Sequence, residues 1–413
     1  MAKVNKPIIK KLKNGFKVVY VPHRGVESVV LHLRGLAGSN YENKKQVGAA
    51  HLTEHLLSQI SSKDKLLFNG ANIINLTSRD NVLFMIKIQK KDMEPALIYL
   101  SDVFGRSTFD KNELEIQKNI VVEEIKRFEN IPEKLVSRLS YKILYPHGRM
   151  TDLNTGDIKN VIKISTKYVS SFKHSYYTTE NFILCFSGDL NPKKLFALAE
   201  KYFGTFPRKA KTRIAVHKKD MGLKVQCTNS EYFKQAHIKI DFYGYPLTNN
   251  KCIVSSLISK ILDSHLKKTV RFQKGLVYNI NCTSFSSGSY GVFSIYFASN
   301  QDKQYEILSY IIQTLNNVGR LINTFNLQGA KNTALSDLIF NADKTSFRAD
   351  YYSESFLYGN PLRTYNKELK LIKNVNLAYA TKVAKEIFKQ NPKITVLSGE
   401  SDPTKIKKLT VSP

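Results

Sequence analysis

Residues 187–194 read SGDLNPKK and residues 398–405 read SGESDPTK, a repeat with an offset of 211 residues in a chain of 413. Each copy follows an apolar run typical of a strand, at residues 182–186 and 394–397. An internal repeat at this spacing predicts two similar domains in tandem, although one short motif alone could also arise as convergent turn chemistry.

Further segments support the same division of the chain. Residues 70–78 and 275–284 align at nearly the same offset, and a basic segment at residues 207–221 separates the two halves. A chain of this length is too large for a single core. The sequence therefore predicts domains at residues 1–206 and 222–413, joined by a linker at 207–221.

Local patterns predict a mixed α+β fold. Apolar residues flank Asn14-Gly15, a dipeptide suited to the positive φ angles of a tight hairpin turn. Residues 45–60 and 110–129 are predicted helices, the second with Asp110 and Glu113 arranged as in a capping box. Residues 81–89 are a predicted strand, and residues 94–105 a short helix ended by glycine.

The motif with chemical content is HLTEH at residues 51–55. Residues four apart lie one above the other on a helix, so the imidazoles of His51 and His55 can reach one metal ion. Glu54 lies close by and can act as general base on a water in the open coordination position. This inverted HxxEH order occurs among zinc peptidases, although a lone histidine on a helix is more often a packed or surface residue.

A catalytic zinc needs a third protein ligand, and the candidate is Glu124 on the second predicted helix. Apolar residues make one side of this helix buried, and a carboxylate at the edge of that side is costly unless it is paired or metal-bound. Gln117 lies seven residues earlier on nearly the same face. From the helix pattern alone, Glu124 fits a zinc ligand and an ordinary salt bridge at the edge of the buried face equally well.

The composition is strongly basic, with 63 Lys and Arg against 34 Asp and Glu, a formal charge of +29. Nucleic acid, anionic membranes and acidic substrates become possible partners, but the lysines are spread along the chain and form no basic block. The four cysteines show no CxxC spacing, which disfavours disulfides and thiolate metal sites. With neither a secretory signal nor an apolar run long enough to span a bilayer, the expected location is the cytoplasm.

At these motifs the sequence resembles the insulinase/pitrilysin family of zinc peptidases, in the short-chain branch that includes the mitochondrial processing peptidase subunits and their bacterial relatives. The matching segments are residues 13–19, 38–42, 70–80 and 271–278, in addition to the HxxEH motif. The resemblance extends over essentially the whole chain. It implies two homologous α+β domains, each an antiparallel sheet with packed helices.

The resemblance also implies roles for individual residues. The family's third zinc ligand falls on Glu124 rather than on Glu123. Asn75 lies where the family's strand borders the substrate backbone. Arg271 and Tyr278 match a pair that binds substrate and reaches across to the active site; taken alone, they would be a surface charge and a core aromatic.

The implied protein is a metalloendopeptidase with one Zn²⁺ per chain that cleaves unfolded peptides in a chamber enclosed by two chains. A homodimer is expected because the chain has both the zinc motif and the Arg271/Tyr278 pair, while a heterodimer with a related chain stays possible. Three departures from the family bear on catalytic efficiency. Gln117 lies near the metal ligands and replaces a glutamate, a change expected to weaken the tuning of the metal site. Ala71 replaces a glycine, and LSQI at residues 57–60 replaces a more typical segment. A catalytically silent structural subunit and, less favoured, a nucleic-acid-binding protein are the competing classes.

Overall fold

The computed structural model describes residues 6–43, 47–146, 150, 154–213, 217–359 and 364–411. Within these ranges the strands are β1 Ile8–Lys11, β2 Lys17–Pro22, β3 Ser28–Gly35, β4 Asn72–Thr77, β5 Val82–Gln89, β6 Phe182–Gly188, β7 Lys224–Asn229, β8 Ala236–Tyr243, β9 Val277–Ser286, β10 Gly291–Ser299 and β11 Lys393–Ser398.

The α-helices of the same ranges are α1 Ala49–Leu57, α2 Ser62–Phe68, α3 Met93–Gly105, α4 Lys111–Glu129, α5 Pro132–Leu144, α6 Ile158–Val161, α7 Thr166–Tyr176, α8 Pro192–Phe203, α9 Lys251–Leu266, α10 Gln304–Asn316, α11 Val318–Leu321, α12 Thr324–Ala342, α13 Thr345–Leu357, α14 Tyr365–Asn374, α15 Leu377–Phe388 and α16 Pro403–Val411. A π-helical segment, Lys267–Gln273, follows α9. None of the helices described here has both the length and the apolar character needed to cross a bilayer.

Two sheets of matching topology organise the chain. The first has the order β1-β2-β6-β3-β5-β4, and the second has the order β7-β11-β8-β10-β9. In each sheet one pair is parallel, β2 with β6 and β7 with β11, and the remaining pairs are antiparallel. The prediction of two similar α+β domains is confirmed, but the sheets are mixed rather than purely antiparallel.

The sequence repeats occupy equivalent places in the two sheets. The two SG motifs form the ends of β6 and β11, the strands that make the parallel pairs. Residues 70–78 and 275–284 contain β4 and the first part of β9, the strands at corresponding sheet edges. The repeat thus reflects the same strand order built twice.

Each of the two compact units contains segments from both halves of the chain, whereas the sequence predicts two contiguous domains. Unit 1 comprises Met1–Ile125, Asp152–Ala215 and Leu338–Glu368; unit 2 comprises Lys126–Thr151, Val216–Asp337 and Leu369–Pro413. Helix α13 therefore packs on β3 and β6 in unit 1, and helix α5 packs on β8 and β11 in unit 2. The local sequence pattern carries no signal for which sheet each of these helices covers.

Polar contacts accompany both exchanged helices. Within unit 1, His32 Nδ1 lies 3.2 Å from Ser353 Oγ of α13, and the buried Arg34 guanidinium pairs with Asp350. Within unit 2, Lys239 Nζ donates to Ser140 Oγ of α5 at 3.2 Å. Because buried polar groups are costly without partners, these bonds favour one docking arrangement for each helix.

The local predictions agree with the structure in most details. β1 and β2 form the predicted hairpin, with Gly15 at a φ of +89° in its turn. The amide of Glu113 donates to the Asp110 carboxylate at 2.9 Å, the helix-start contact that the capping box predicts. Helix α1, which carries the HxxEH motif, is shorter than the helix predicted at residues 45–60, beginning at Ala49 and ending at Leu57; residues 45 and 46 of the prediction lie outside the described residues.

Candidate metal centre

Helix α1 presents the HxxEH motif on the side away from its apolar face. Leu52, Leu56 and Leu57 are fully buried and fix the helix in the core of unit 1. His51 and His55 lie on the other side, with side chains 12% and 15% exposed and ring centroids 4.5 Å apart. The four-residue spacing brings both imidazoles together, as predicted.

Glu42 and Gly48 fix the start of this helix. The buried carboxylate of Glu42 accepts hydrogen bonds from the amides of Gly48 and Ala50, at 3.0 and 2.8 Å. It satisfies backbone donors of the first helical turn, where a negative charge is also favourable. Gly48 has a φ of +96°, a conformation that side chains disfavour, and Gly156 packs directly against it.

Three ligand atoms from two helices converge. His51 Nε2 and His55 Nε2 are 3.2 Å apart, and Glu124 Oε2 lies 3.7 and 3.8 Å from them. A point about 2.1 Å from all three atoms exists, which matches ordinary zinc–nitrogen and zinc–oxygen bond lengths. Burial, followed by the nearby His55, lowers the pKa of His51 to about 3 and keeps its imidazole in the neutral form that binds metals. The donor set therefore fits a zinc ion with an open fourth position.

Glu54 lies beside this group without completing it. Its Oε2 is 3.9 Å from His51 Nε2 and accepts a hydrogen bond from Thr77 Oγ1 at 3.1 Å. Burial raises the pKa of Glu54 to about 7; the Thr77 hydrogen bond opposes this shift, and the Glu124 charge adds to it. A carboxylate in this position can exchange a proton with a water at the open position.

Helix α4 supplies Glu124 and the partner of His55. Val121 and Ile125 are buried and orient the helix, so that Glu124 faces the imidazoles while Glu123 is exposed. Gln117 is buried two turns before Glu124 on nearly the same face of α4, and its Oε1 lies 3.1 Å from His55 Nδ1. If Nδ1–H donates to this oxygen, His55 Nε2 has its lone pair free for a metal ion.

The Gln117 contact yields a prediction about zinc affinity. Gln117→Leu removes the acceptor and is expected to weaken zinc binding by about 10- to 100-fold, the usual range for a partner of a metal-bound histidine. Gln117→Glu restores a charged acceptor and is expected to bind zinc more tightly than the natural chain. Competition against a chromogenic chelator measures both variants, and equal zinc affinity in all three proteins would contradict a tuning role for Gln117.

Strand β4 is held against the metal helix by its inward side chains. Asn75 Nδ2 donates to Ser58 Oγ at 2.6 Å, and Thr77 two residues on contacts Glu54. The alternate residues Ile74 and Leu76 are 40% and 55% exposed. Asn75 was predicted to border substrate, and its bond to Ser58 fixes this edge strand beside the candidate base.

Sequence reasoning missed Thr77 and the role of Glu42. The strand period of two places Thr77 on the same face as Asn75, a signal that could have identified it. Glu42 lies in the 38–42 segment that resembles the family. Its carboxylate caps α1 from six and eight residues before the amides that it binds, a separation that no helix-capping sequence pattern indicates.

Arg271 and Tyr278 belong to unit 2. Arg271 lies in the π-helical segment, where its guanidinium carbon is 5.4 Å from the Phe272 ring centroid. Tyr278 lies on the edge strand β9 and is 78% exposed, so it is not a core aromatic. Phe272 is 72% exposed, and unit 2 therefore presents aromatic and cationic side chains to its surroundings at this place.

Two family descriptions match the chain. Residues 18–152 match the description "Insulinase (Peptidase family M16)", and residues 163–334 match "Peptidase M16 inactive domain". The first range contains the HxxEH motif and Glu124, and the second contains Arg271 and Tyr278.

Relatives and solved structures agree with these matches. A Bacillus subtilis protein described as an uncharacterized zinc protease, YmxG, is 23% identical over 94% of this chain and 97% of its own length. The mitochondrial-processing peptidase subunit beta of Saccharomyces cerevisiae is 26% identical over 57% of this chain and 53% of its own length. The crystal structure of a Helicobacter pylori protease superposes with a TM-score of 0.87 at 20% identity, covering 95% of this chain and 99% of that chain.

Proposed function

Because the chain belongs to the insulinase family, peptidase family M16, we propose that it is a zinc-dependent endopeptidase that cleaves unfolded peptides. The observation that carries the proposal is the convergence of His51, His55 and Glu124, with Glu54 beside them. Relatives named zinc proteases support the choice of metal.

Each residue of the centre has a separate role in this proposal. Zinc bound by the three ligands would lower the pKa of a water and polarise the scissile carbonyl. Glu54 takes a proton from the attacking water and delivers it to the leaving amine. The Thr77 hydroxyl donates to the Glu54 carboxylate and holds it in one orientation, which preorganises the proton transfer.

The edge of β4 is the proposed place for the peptide backbone. In the described part of the chain β4 pairs with β5 alone, so its other edge carries backbone groups able to pair with an extended chain. Backbone pairing requires an unfolded peptide segment and discriminates little between peptide sequences. Ile74 and Leu76 are exposed and offer apolar contact to alternate side chains of the substrate. The proposal includes cytoplasmic action as a homodimer that encloses its substrates, as the family resemblance implies.

Arg271 and Tyr278 are proposed to hold the reacting carbonyl or its oxyanion. Arg271→Ala and Tyr278→Phe are expected to lower kcat by about 10- to 1,000-fold with a smaller change in KM, because such contacts strengthen in the transition state. Zinc content and melting temperature should not change, since both side chains are exposed. Tyr232→Phe, at a tyrosine of unit 2 that is 64% exposed, is the matched control. Unchanged kinetics in both variants would remove unit 2 from the mechanism.

A catalytically silent subunit is the second candidate, favoured by Gln117 and by the match to an inactive domain. Cleavage of a set of quenched fluorescent peptides by the purified chain separates the two. A peptidase loses cleavage when a chelator removes zinc and regains it when zinc is returned. A silent subunit binds zinc but cleaves none of the peptides until a related chain is added.

A further inference from the structure

A cavity of about 620 Å³ lies in unit 1, between the end of α3, the C-terminal half of α7 and residues 206–209. Its size is in the range that holds small organic ligands, about 300–1,000 Å³. None of the metal-site residues lines it. Its described lining contains two lysines, one histidine and seven hydroxyl side chains, but no aspartate or glutamate. The chemistry of the cavity is therefore that of an anion receptor.

Lys173 is the buried cation of this cavity. The residue is 8% exposed, and Nζ donates to the carbonyl of Phe104 at 2.7 Å. Among the described residues no carboxylate pairs with it, whereas the equally buried Lys118 and Lys239 pair with Glu115 and Asp241. Lys393, also buried, donates to two carbonyls. Lys173 lines the cavity, and its ammonium group, which donates to one carbonyl, retains further hydrogen-bond donors with no carboxylate partner among the described residues.

Lys209 supplies a second positive charge. Its Nζ lies 3.0 Å from His174 Nε2 and has no carboxylate partner in the part of the chain that the structure describes. Burial is the main cause that lowers the pKa of Lys173 to about 8, and repulsion by the nearby Lys209 ammonium adds to it. A bound anion would relieve this repulsion at both lysines.

We propose that this cavity binds a small phosphomonoester, with Lys173 and Lys209 on the phosphate and the aromatic wall on the organic part. A phosphate group with two negative charges matches the two lysine ammonium groups, and serine and threonine hydroxyls supply further hydrogen bonds to the phosphate oxygens. Phe104 and Phe206 line the cavity and offer apolar contact. The inference is independent of the peptidase proposal, since it uses no residue of the metal centre.

Isothermal titration of the full chain with inorganic phosphate and with glycerol 3-phosphate tests the proposal, at fixed ionic strength because the chain carries a charge of +29. The natural chain is expected to bind both, the ester more tightly. Lys173→Met and Lys209→Gln should each weaken binding at least about tenfold, because each removes a charge-assisted contact.

Lys167→Met is the matched control, because Lys167 is exposed on the same helix and its loss changes net charge equally. This variant should bind as the natural chain does. If Lys173→Met fails to fold by circular dichroism, Lys209→Gln, at a partly exposed position, decides alone. The proposal is overturned if neither probe binds the natural chain, or if all three variants weaken binding equally.

Discussion

Glu54→Gln is expected to lower the rate of peptide cleavage by about 100- to 10,000-fold while zinc stays bound at one ion per chain. The amide has the shape of the carboxylate and can still accept the hydrogen bond from Thr77 Oγ1, so the local structure should persist. It cannot take a proton from water. Steady-state cleavage of a fluorogenic peptide and metal analysis of the same sample measure the two properties.

Glu123→Gln is the control for this variant, because it removes one carboxylate charge from an exposed position of α4. Its cleavage rate should equal that of the natural chain. Loss of stoichiometric zinc from Glu54→Gln would contradict the assignment of Glu54 as base and would make it a ligand instead.

Glu124→Gln is expected to lose zinc. Structural zinc sites bind with about 10–16 kcal/mol, so one of three ligands contributes several kcal/mol and its loss weakens binding by about 1,000-fold. The side chain is 38% exposed and lies at the edge of the helix face, so folding should survive the change. Equilibrium dialysis against buffered zinc gives the affinity of both glutamate variants.

The comparison between neighbours on α4 tests the helix register. Glu124 Oε2 lies within 3.8 Å of both imidazoles, and Glu123 is exposed. If Glu123→Gln lost zinc and Glu124→Gln kept it, the register of α4 in this account would be wrong.

Much of the fold follows from patterns that are local in the chain. The Asn14-Gly15 turn and the SG motifs at the ends of β6 and β11 are encoded within a few residues, and sequence analysis identifies them. The exchange of α5 and α13 between the units is different. It depends on contacts between residues 99 or more positions apart in the chain, such as Lys239 with Ser140 and His32 with Ser353, and no spacing in the sequence reports them.

The candidate metal centre likewise has parts that the local sequence pattern predicts and parts that it does not. Helical spacing brings His51 and His55 together, but the helix pattern of α4 left Glu124 open between a ligand and a salt bridge, and the family resemblance was needed to choose. The resemblance predicts that Gln117 tunes the metal site, but it does not predict which ligand Gln117 contacts; the structure places its Oε1 beside His55 Nδ1. Tyr278 taken alone would be a core aromatic, and only the family resemblance indicates a different role; in the structure the ring is exposed on the edge strand β9.

Zinc content and peptide cleavage, measured together on one preparation of the purified chain, test the central claim most directly. The sample is stripped with a chelator and then titrated with zinc, and the cleavage rate of a quenched fluorescent peptide is followed at each occupancy. The account predicts that cleavage rises in proportion to bound zinc and saturates at one ion per chain. Cleavage that is independent of zinc, or a saturated site at His51, His55 and Glu124 that supports no cleavage, would contradict it.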